Sequence, residues 1–342
     1  MQKAGLTIVI PTHNRHNYLE RVLDYYSNSS YFIIVADSSE NKYSGIIPDE
    51  RVNYLHLPGL SLPQKLSVIF QKVTTAFMAM CADDDFVIPE SLEMCVSFLK
   101  GNPDYSVAGG NILCYKKSDF LAGHIKFAVV FPQWLSYEIR NKDAWRRLDD
   151  FFDQYREIFY SVHRTENLRL AFEDVDNRIT KVYLNEYLTV VLPIFRGNYK
   201  LLPILYQVRE ELESGGDRIA PNIDAIFSDK SYKNEYEQFI SFQAEKISAL
   251  NGESELSVRQ RLDQILKNFA EKLKSDRAVV PMPGFDKKLG VLVKFLPLLG
   301  PWLIGKYREA KRKKNLQPYL QGTNDAAHLE TIASIIKKYP IS

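Results

Sequence analysis

The sequence predicts an α/β fold with a largely parallel sheet in its first part and a helical extension behind it. Three observations carry that expectation. Short β-branched apolar runs alternate with segments of helical period through the first hundred residues, the pattern of a sheet with crossover helices. Three of those runs end in polar stretches, PTHNR, ADSSE and ADDDF, as ligand-binding loops do at the carboxyl ends of parallel strands. From about residue 222 the composition turns to Glu, Lys, Gln and Leu at helical spacing. The 342 residues, 45% of them hydrophobic, hold enough apolar material for one large domain with an appendage or for two domains, divided as 1–212 and 213–342.

Leu6 to Ile10 is a strand closed by Pro11, and Tyr18, Leu19, Val22, Leu23 and Tyr26 then recur on one side of a helix over about 15–27. Tyr31 to Ala36 is a second strand, Val52 to Leu57 a short third one, and Ser61 to Val73 a helix. TAFMAMCA is a continuous apolar run, as expected of a central strand covered on both faces. Pro89 opens a helix that Gly101 and Pro103 stop. FYSV is strand-like, a helical run follows Glu186 to a stop at Gly197, and Tyr199 to Val208 is a last strand.

Several function classes are excluded early. A net charge of +2 gives no electrostatic footprint for nucleic acid, and no such motif is present. Cys81, Cys95 and Cys114 have no CxxC spacing, which suits buried thiols in a reducing compartment. His13 and His16 lack a second ligand pair for zinc. AGGN at 108–111 lacks the dinucleotide fingerprint, and no Walker lysine occurs, so neither NAD nor ATP is implied. A strand begins within a few residues of Met1, leaving no room for a signal peptide, and a cytoplasmic protein is expected.

CADDDFVIPE poses the chemical question. Unit charges about 4 Å apart interact by roughly 4 kcal/mol at an effective dielectric of 20, so three adjacent aspartates need open water or a cation. Capping does not explain them, because the capping position beside Pro89 falls at Ile88. A divalent cation, Mn or Mg, shared between one or two of these carboxylates and ligand phosphates does explain them. Asp83 and Asp85 are then an aspartate-x-aspartate pair.

TIVIPTHNRHNYLERVL, IIVADSSE and MCADDDFVIPESLEMCVSFL together resemble the nucleotide-sugar-binding domain of bacterial family 2 glycosyltransferases, with the GT-A fold, a Rossmann-like nucleotide-diphospho-sugar transferase domain. The likeness covers residues 5–115 well and reaches about 212 more weakly. It implies that Pro11 and Thr12 contact the nucleotide, with Asn14 and Arg15 at the helix entrance, where exposed N–H groups favour anions. It implies that Asp37 reads base and ribose, that Lys65 faces the donor, and that Asp83 and Asp84 meet ribose and metal while Asp85 is the main metal ligand. Arg15 and Lys65 also suit solvated helix charges, and Thr12 and Asp37 suit turn residues.

Transfer of a sugar also needs a proton acceptor opposite the leaving diphosphate. AFEDVD offers Glu173 and Asp174. LNEYL offers Glu186, which fits better what the resemblance implies, a base at the mouth of a helix that leads through a glycine into another strand; Asp174 is second. His163 and Arg164, after a strand-like run, and Arg209, after the last strand, are candidates to meet diphosphate or acceptor, although Glu210 and Glu211 offer Arg209 local partners. The expected donor is a nucleoside-diphosphate sugar, foremost a UDP-sugar, and the acceptor a saccharide or lipid-linked saccharide.

The apolar run from 289, ending in Trp302 and followed by Lys306, Arg308, Lys311, Arg312, Lys313 and Lys314, is too short and too interrupted by Lys294, Pro297 and Pro301 to span a bilayer. It suits docking on an anionic membrane surface, a buried helix followed by a solvated basic one, or a contact in a homo-oligomer. Other classes stay open at this stage. One is a non-catalytic relative that binds donor or membrane; another is a sugar-nucleotide pyrophosphorylase, whose glycine-rich phosphate loop PTHNRHNY lacks.

Overall fold

The computed structural model describes residues 5–116, 125–129, 135–175, 179, 182–211, 223–228, 232–279 and 315–340. Within them one ten-stranded sheet runs in the order β3-β2-β1-β4-β9-β6-β10-β5. β1 (Leu6–Thr12), β2 (Phe32–Asp37), β3 (Val52–His56) and β4 (Phe77–Met80) are parallel, as the alternation of elements predicts. Their apolar residues divide between two cores with period two, which is why the runs are continuous rather than alternating. Val9, Ile34, Met78 and Met80 pack with Leu66, Ile69 and Phe70 of α2 (Leu62–Phe70). Ile8, Ile10, Ile33, Val35 and Ala79 pack on the other face with α1 (His16–Tyr25) and α3 (Pro89–Gly101). α3 begins with Pro89 directly after its Ile88 cap and ends at Gly101, as expected.

Beyond β4 the sheet departs from simple alternation. β9 (Val162–Arg164) enters antiparallel between β4 and β6 (Tyr105–Lys116). β10 (Asn198–Glu211) lies parallel to β6 with register shifts and pairs antiparallel with β5 (Phe86–Val87) and β8 (Tyr137–Ile139). β7 (Ala128–Val129) edges β6. The glycine pair that the sequence left without a role belongs here. A Cβ on Gly109 would stand 2.6 Å from Ser161 Oγ, and one on Gly110 would stand 2.8 Å from the Ile204 carbonyl, so β6 passes its neighbours too closely for any side chain.

Among the described residues the helical extension shows no core of its own. α4 (Ala144–Asp153), α5 (Thr165–Phe172) and α6 (Val182–Arg196) share one apolar cluster with α8 (Lys233–Asn251) and α9 (Glu255–Val279), which follow the short α7 (Ile223–Ser228), and that cluster reaches Val9 in the sheet. α10 (Asp325–Lys338) folds back onto β5, β6 and β10, where Leu329, Ile332 and Ile336 meet Phe86, Ile88, Leu113 and Val208. Among the described residues no helix is long and apolar enough to cross a membrane. The segment 289–314 lies outside the described residues.

Candidate active site

The three polar stretches meet at the carboxyl ends of β1, β2 and β4. Thr12, the last residue of β1, donates its hydroxyl to Asp83 Oδ2 at 2.6 Å, so the first and third stretches are joined directly. Asn14 takes a left-handed backbone (φ 54°) and donates its N–H to Ser39 Oγ at 2.7 Å. The turn that a glycine loop would make elsewhere is made here by asparagine, which tolerates that region.

Asp37 closes β2 as the centre of its own small network. It accepts from Tyr54 OH at 2.6 Å and from Ser39 N–H at 2.8 Å, and it lies 2.9 Å from His16 Nε2. Burial alone would raise its pKa, but the bonds from Ser39, Tyr54 and His16 outweigh burial and hold it below the ordinary carboxylate value. Lys65 reaches in from α2 to the Thr12 carbonyl at 2.7 Å and Ser38 Oγ at 3.1 Å. It is buried, and desolvation lowers its pKa to about 8 against the pull of Asp83 and Asp37. It is therefore not a solvated helix charge.

The triple aspartate is buried too, at 3%, 7% and 5% exposure for Asp83, Asp84 and Asp85, which rules out a turn in open water. The chain turns tightly from Ala82 to Asp85, and the three carboxylates face different elements. Arg15 lies between the first two, 3.1 Å from Asp83 and 2.5 Å from Asp84, and its own guanidinium stacks 4.3 Å from the Tyr18 ring centroid. Burial still prevails at Asp83, raising its pKa to about 6 against Arg15, Thr12 and Lys65. Asp85 faces β10, accepting from Gln207 Nε2 at 2.8 Å and Glu210 N–H at 3.3 Å, with Arg209 Nε 3.5 Å away. Burial, and next the neighbouring Asp84, push its pKa well above the usual range.

A strut holds this turn from behind. Arg21 of α1 donates to the Asp84 carbonyl at 2.9 Å and to Glu210 Oε2 at 2.8 Å, and Tyr18 and Tyr115 also donate to Glu210. Glu210 therefore belongs to Arg21 and not, as its position suggested, to Arg209. Arg209 instead forms a bidentate pair with Glu157, at 2.8 and 2.5 Å, and lies 4.7 Å from the Tyr160 ring centroid. Glu186, on α6, accepts a hydrogen bond from Tyr155. Burial, and then the charge of Glu157, raise its pKa to about 7, opposed by Tyr155 and Arg209. Asp85, Arg209, Glu157 and Glu186 thus form one electrostatic chain. Beside it a small pocket is lined by Asn111, Arg156, Glu157, Tyr160, Gln207 and Arg209 among others.

Two expected contacts belong to the framework instead. Arg164 gives its guanidinium to the carbonyls of Leu99, Asn102 and Tyr105, closing the end of α3 at the start of β4, the opposite end of that strand from the aspartates. His163 is wholly buried between β4 and β6, donates its Nε2–H to the Ile158 carbonyl at 2.8 Å, and is kept neutral by burial, which lowers its pKa to about 4. Asp174 is exposed in the turn after α5, with a left-handed backbone of φ 58°, and its neighbour Glu173 pairs with Lys246. Sequence reasoning missed Glu157, Gln207, Arg21 and Tyr54. No local motif marks them, because their roles come from strand order and not from spacing.

Among the described residues no three His, Cys, Asp or Glu side chains converge as a metal cage. The donor set at Asp83–Asp85 is nonetheless hard oxygen, which suits a cation that takes one or two carboxylates and completes its shell with water and phosphate.

Residues 7–171, a little under half of the chain, match the family described as Glycosyl transferase family 2. No curated protein matches the sequence. Among solved structures, S. aureus TarS 1–349 in complex with UDP-GlcNAc is 14% identical over 98% of this chain and 91% of its own, with a TM-score of 0.48. The same fragment in complex with UDP gives 14%, 98%, 90% and 0.46. A longer S. aureus TarS is 14% identical over 91% of this chain and 53% of its own, with a TM-score of 0.48; the chain spans about half the length of that protein.

Proposed function

We propose that this chain, a glycosyltransferase by the family its residues 7–171 match, moves a sugar from a nucleoside diphosphate, foremost UDP, to a hydroxyl of a saccharide or lipid-linked saccharide in bacterial surface polysaccharide or glycoconjugate synthesis. The observation that carries the reading is the joining of Thr12, Arg15, Asp37, Lys65 and three buried aspartates at the carboxyl ends of three neighbouring strands. That arrangement supports acceptors for a ribose and base, cations for a diphosphate and oxygen ligands for a metal at one end of the sheet.

Asp37, held ionised, accepts from base or ribose. Pro11 and Thr12 present the backbone of the first turn to the nucleotide, and Arg15 and Lys65 meet the negative charge that builds on the departing diphosphate. Asp85, with Asp83, would hold a Mn or Mg ion, which supplies further stabilisation of that charge. Glu186, with a pKa near working pH, takes the proton of the attacking hydroxyl, and the reaction inverts at the sugar carbon. Asp174 is the rival for this role, and Arg209, paired with Glu157, stands between Asp85 and Glu186. The basic segment up to Lys314 docks the protein on an anionic membrane surface, the inner face for a cytoplasmic protein, where a lipid-linked acceptor would lie.

A thermal-shift panel of nucleoside diphosphates and their sugars, with and without manganese, tests the reading on the natural chain and on Asp85→Ala. A true donor at 100 times its dissociation constant stabilises by about 2.7 kcal/mol, and the metal-dependent part disappears in the variant. No shift with any nucleotide sugar overturns the reading. A shift without slow manganese-dependent donor hydrolysis leaves a binding protein in place of an enzyme.

A further inference from the structure

Asp37 has to meet a base or ribose in the proposed reaction, yet its side chain is wholly covered, with 0% exposure. Three donors cover it. Ser39 gives its N–H to Oδ1, while Tyr54 OH and His16 Nε2 both lie on Oδ2, at 2.6 and 2.9 Å. Two of the three are themselves held by other groups. The Ser39 hydroxyl accepts from Asn14 N–H and its carbonyl bonds His56 Nε2, and the Tyr54 hydroxyl accepts from Tyr43 N–H. His16 is different. It is the first residue of α1, its side chain is 30% exposed, and among the described residues Asp37 is the one hydrogen-bond partner of its ring. The Tyr43 ring meets it edge-on, with centroids 5.4 Å apart. Because its hydrogen bonds keep Asp37 ionised, the shared hydrogen belongs to Nε2 and the imidazole donates.

We propose that His16 is a place-holder on Asp37: its Nε2–H stands where an N–H or O–H of the nucleoside binds, and it leaves when the donor seats. This rests on the glycosyltransferase reading and deepens it. Asp37 pairs in register with Thr12, whose hydroxyl bonds Asp83, so the covered carboxylate lies at the same strand ends as the acidic turn. Exchanging one donor for another leaves the carboxylate with as many hydrogen bonds as before, and costs little while the imidazole is neutral. With a second proton on the ring, the same exchange breaks a charge-assisted bond, roughly twice as strong. Imidazole changes charge between pH 5 and 8, so nucleoside binding weakens on acidification. The other groups near the ring do not reverse that sign. Arg15 is turned to Asp83 and Asp84, Lys65 of α2 to the Thr12 carbonyl and Ser38, and His13 to the Ser38 carbonyl. Tyr43 and Tyr54 stay neutral, since burial raises both. Glu20, one turn along α1 and acting on Tyr43, favours the imidazolium further.

The probe is the nucleoside-diphosphate sugar that gives the largest stabilisation in the thermal panel; each of its phosphates has one acidic oxygen, ionised throughout the range used. Its dissociation constant is measured by calorimetry with saturating manganese at pH 7.5 and pH 5.5. Three proteins are compared: the natural chain, His16→Phe, which keeps a ring against Tyr43 without the donor, and His16→Gln, which keeps a neutral donor that cannot titrate. Asp83 titrates in the same window, so the difference between proteins is what is read. The natural chain is expected to lose about 3- to 10-fold more affinity on acidification than either variant, and His16→Phe to bind more tightly than the natural chain at pH 5.5. An equal loss in all three proteins overturns the proposal. Weaker binding by His16→Phe at both pH values also overturns it, because His16 is then a direct contact of the nucleoside. A natural chain whose affinity is the same at both pH values overturns it even if neither variant folds. A protein that binds no nucleotide sugar overturns the underlying reading and this one with it, whereas binding that is indifferent to pH overturns this one alone.

Discussion

Replacing Glu186 by Gln separates what burial costs this protein from what the acid does in it. The unfolded chain releases the Glu186 proton near 4.5, whereas in the folded protein burial and Glu157 raise that pKa to about 7. Between these values the folded state holds more protons than the unfolded one, so stability falls as pH rises through the window. A difference of about 2.5 units at 1.36 kcal/mol each is on the order of 3 kcal/mol. Gln keeps the shape and still accepts from Tyr155, but it cannot ionise. Urea titrations at pH 4 and pH 8 are therefore expected to show Glu186→Gln gaining about 3 kcal/mol on the natural chain between the two. The same substitution lowers kcat by about 10²- to 10⁴-fold if Glu186 takes the proton. For the natural chain, kcat/KM at pH 6 falls to about a tenth of its plateau, the ionised fraction of a group with a pKa near 7. Parallel stability curves for the two proteins would refute the burial reasoning. A Glu186→Gln enzyme with near-natural turnover, beside an inactive Asp174→Asn, would hand the base to Asp174.

Two further outcomes follow from the network. Arg21→Met leaves Glu210 buried without its cation and is expected to cost about 3 to 5 kcal/mol in denaturant unfolding; Arg21→Met with Glu210→Gln recovers much of that, and a single-variant loss below about 1 kcal/mol would show the strut to be dispensable. Reversing Lys306, Arg308, Lys311 and Arg312 to Glu is expected to abolish sedimentation with phosphatidylserine vesicles, since each basic residue near such a surface contributes about 1 kcal/mol; retained binding in low salt would dismiss the membrane reading.

The parallel half of the sheet was legible because it is written locally. Ile8, Val9 and Ile10 have to be covered on both faces, and Pro89 and Gly101 mark their helix ends by backbone chemistry that does not depend on neighbours. The other half was not. β9 is three residues long and takes its place from pairing with two strands far away in sequence, so His163 and Arg164 looked like loop residues while they are framework. Arg209 was read against its sequence neighbours Glu210 and Glu211, yet strand geometry turns consecutive side chains to opposite faces. It therefore meets Glu157, and Glu210 meets Arg21 on the other side.

The tight turn from Ala82 to Asp85 answers how three adjacent acids tolerate one another. They do not share one environment. Asp83 and Asp84 lean on Arg15, Asp85 on the amide, N–H and guanidinium groups of β10, and the main chain between them is held by Arg21. Each partner compensates incompletely, since Asp83 and Asp85 both titrate above the usual carboxylate range. The turn is thus assembled with a deficit of positive charge, and a ligand bringing a cation together with its phosphates relieves that deficit where a neutral sugar does not. Binding of the nucleotide part and of the metal should accordingly be coupled, each tightening the other by the same factor.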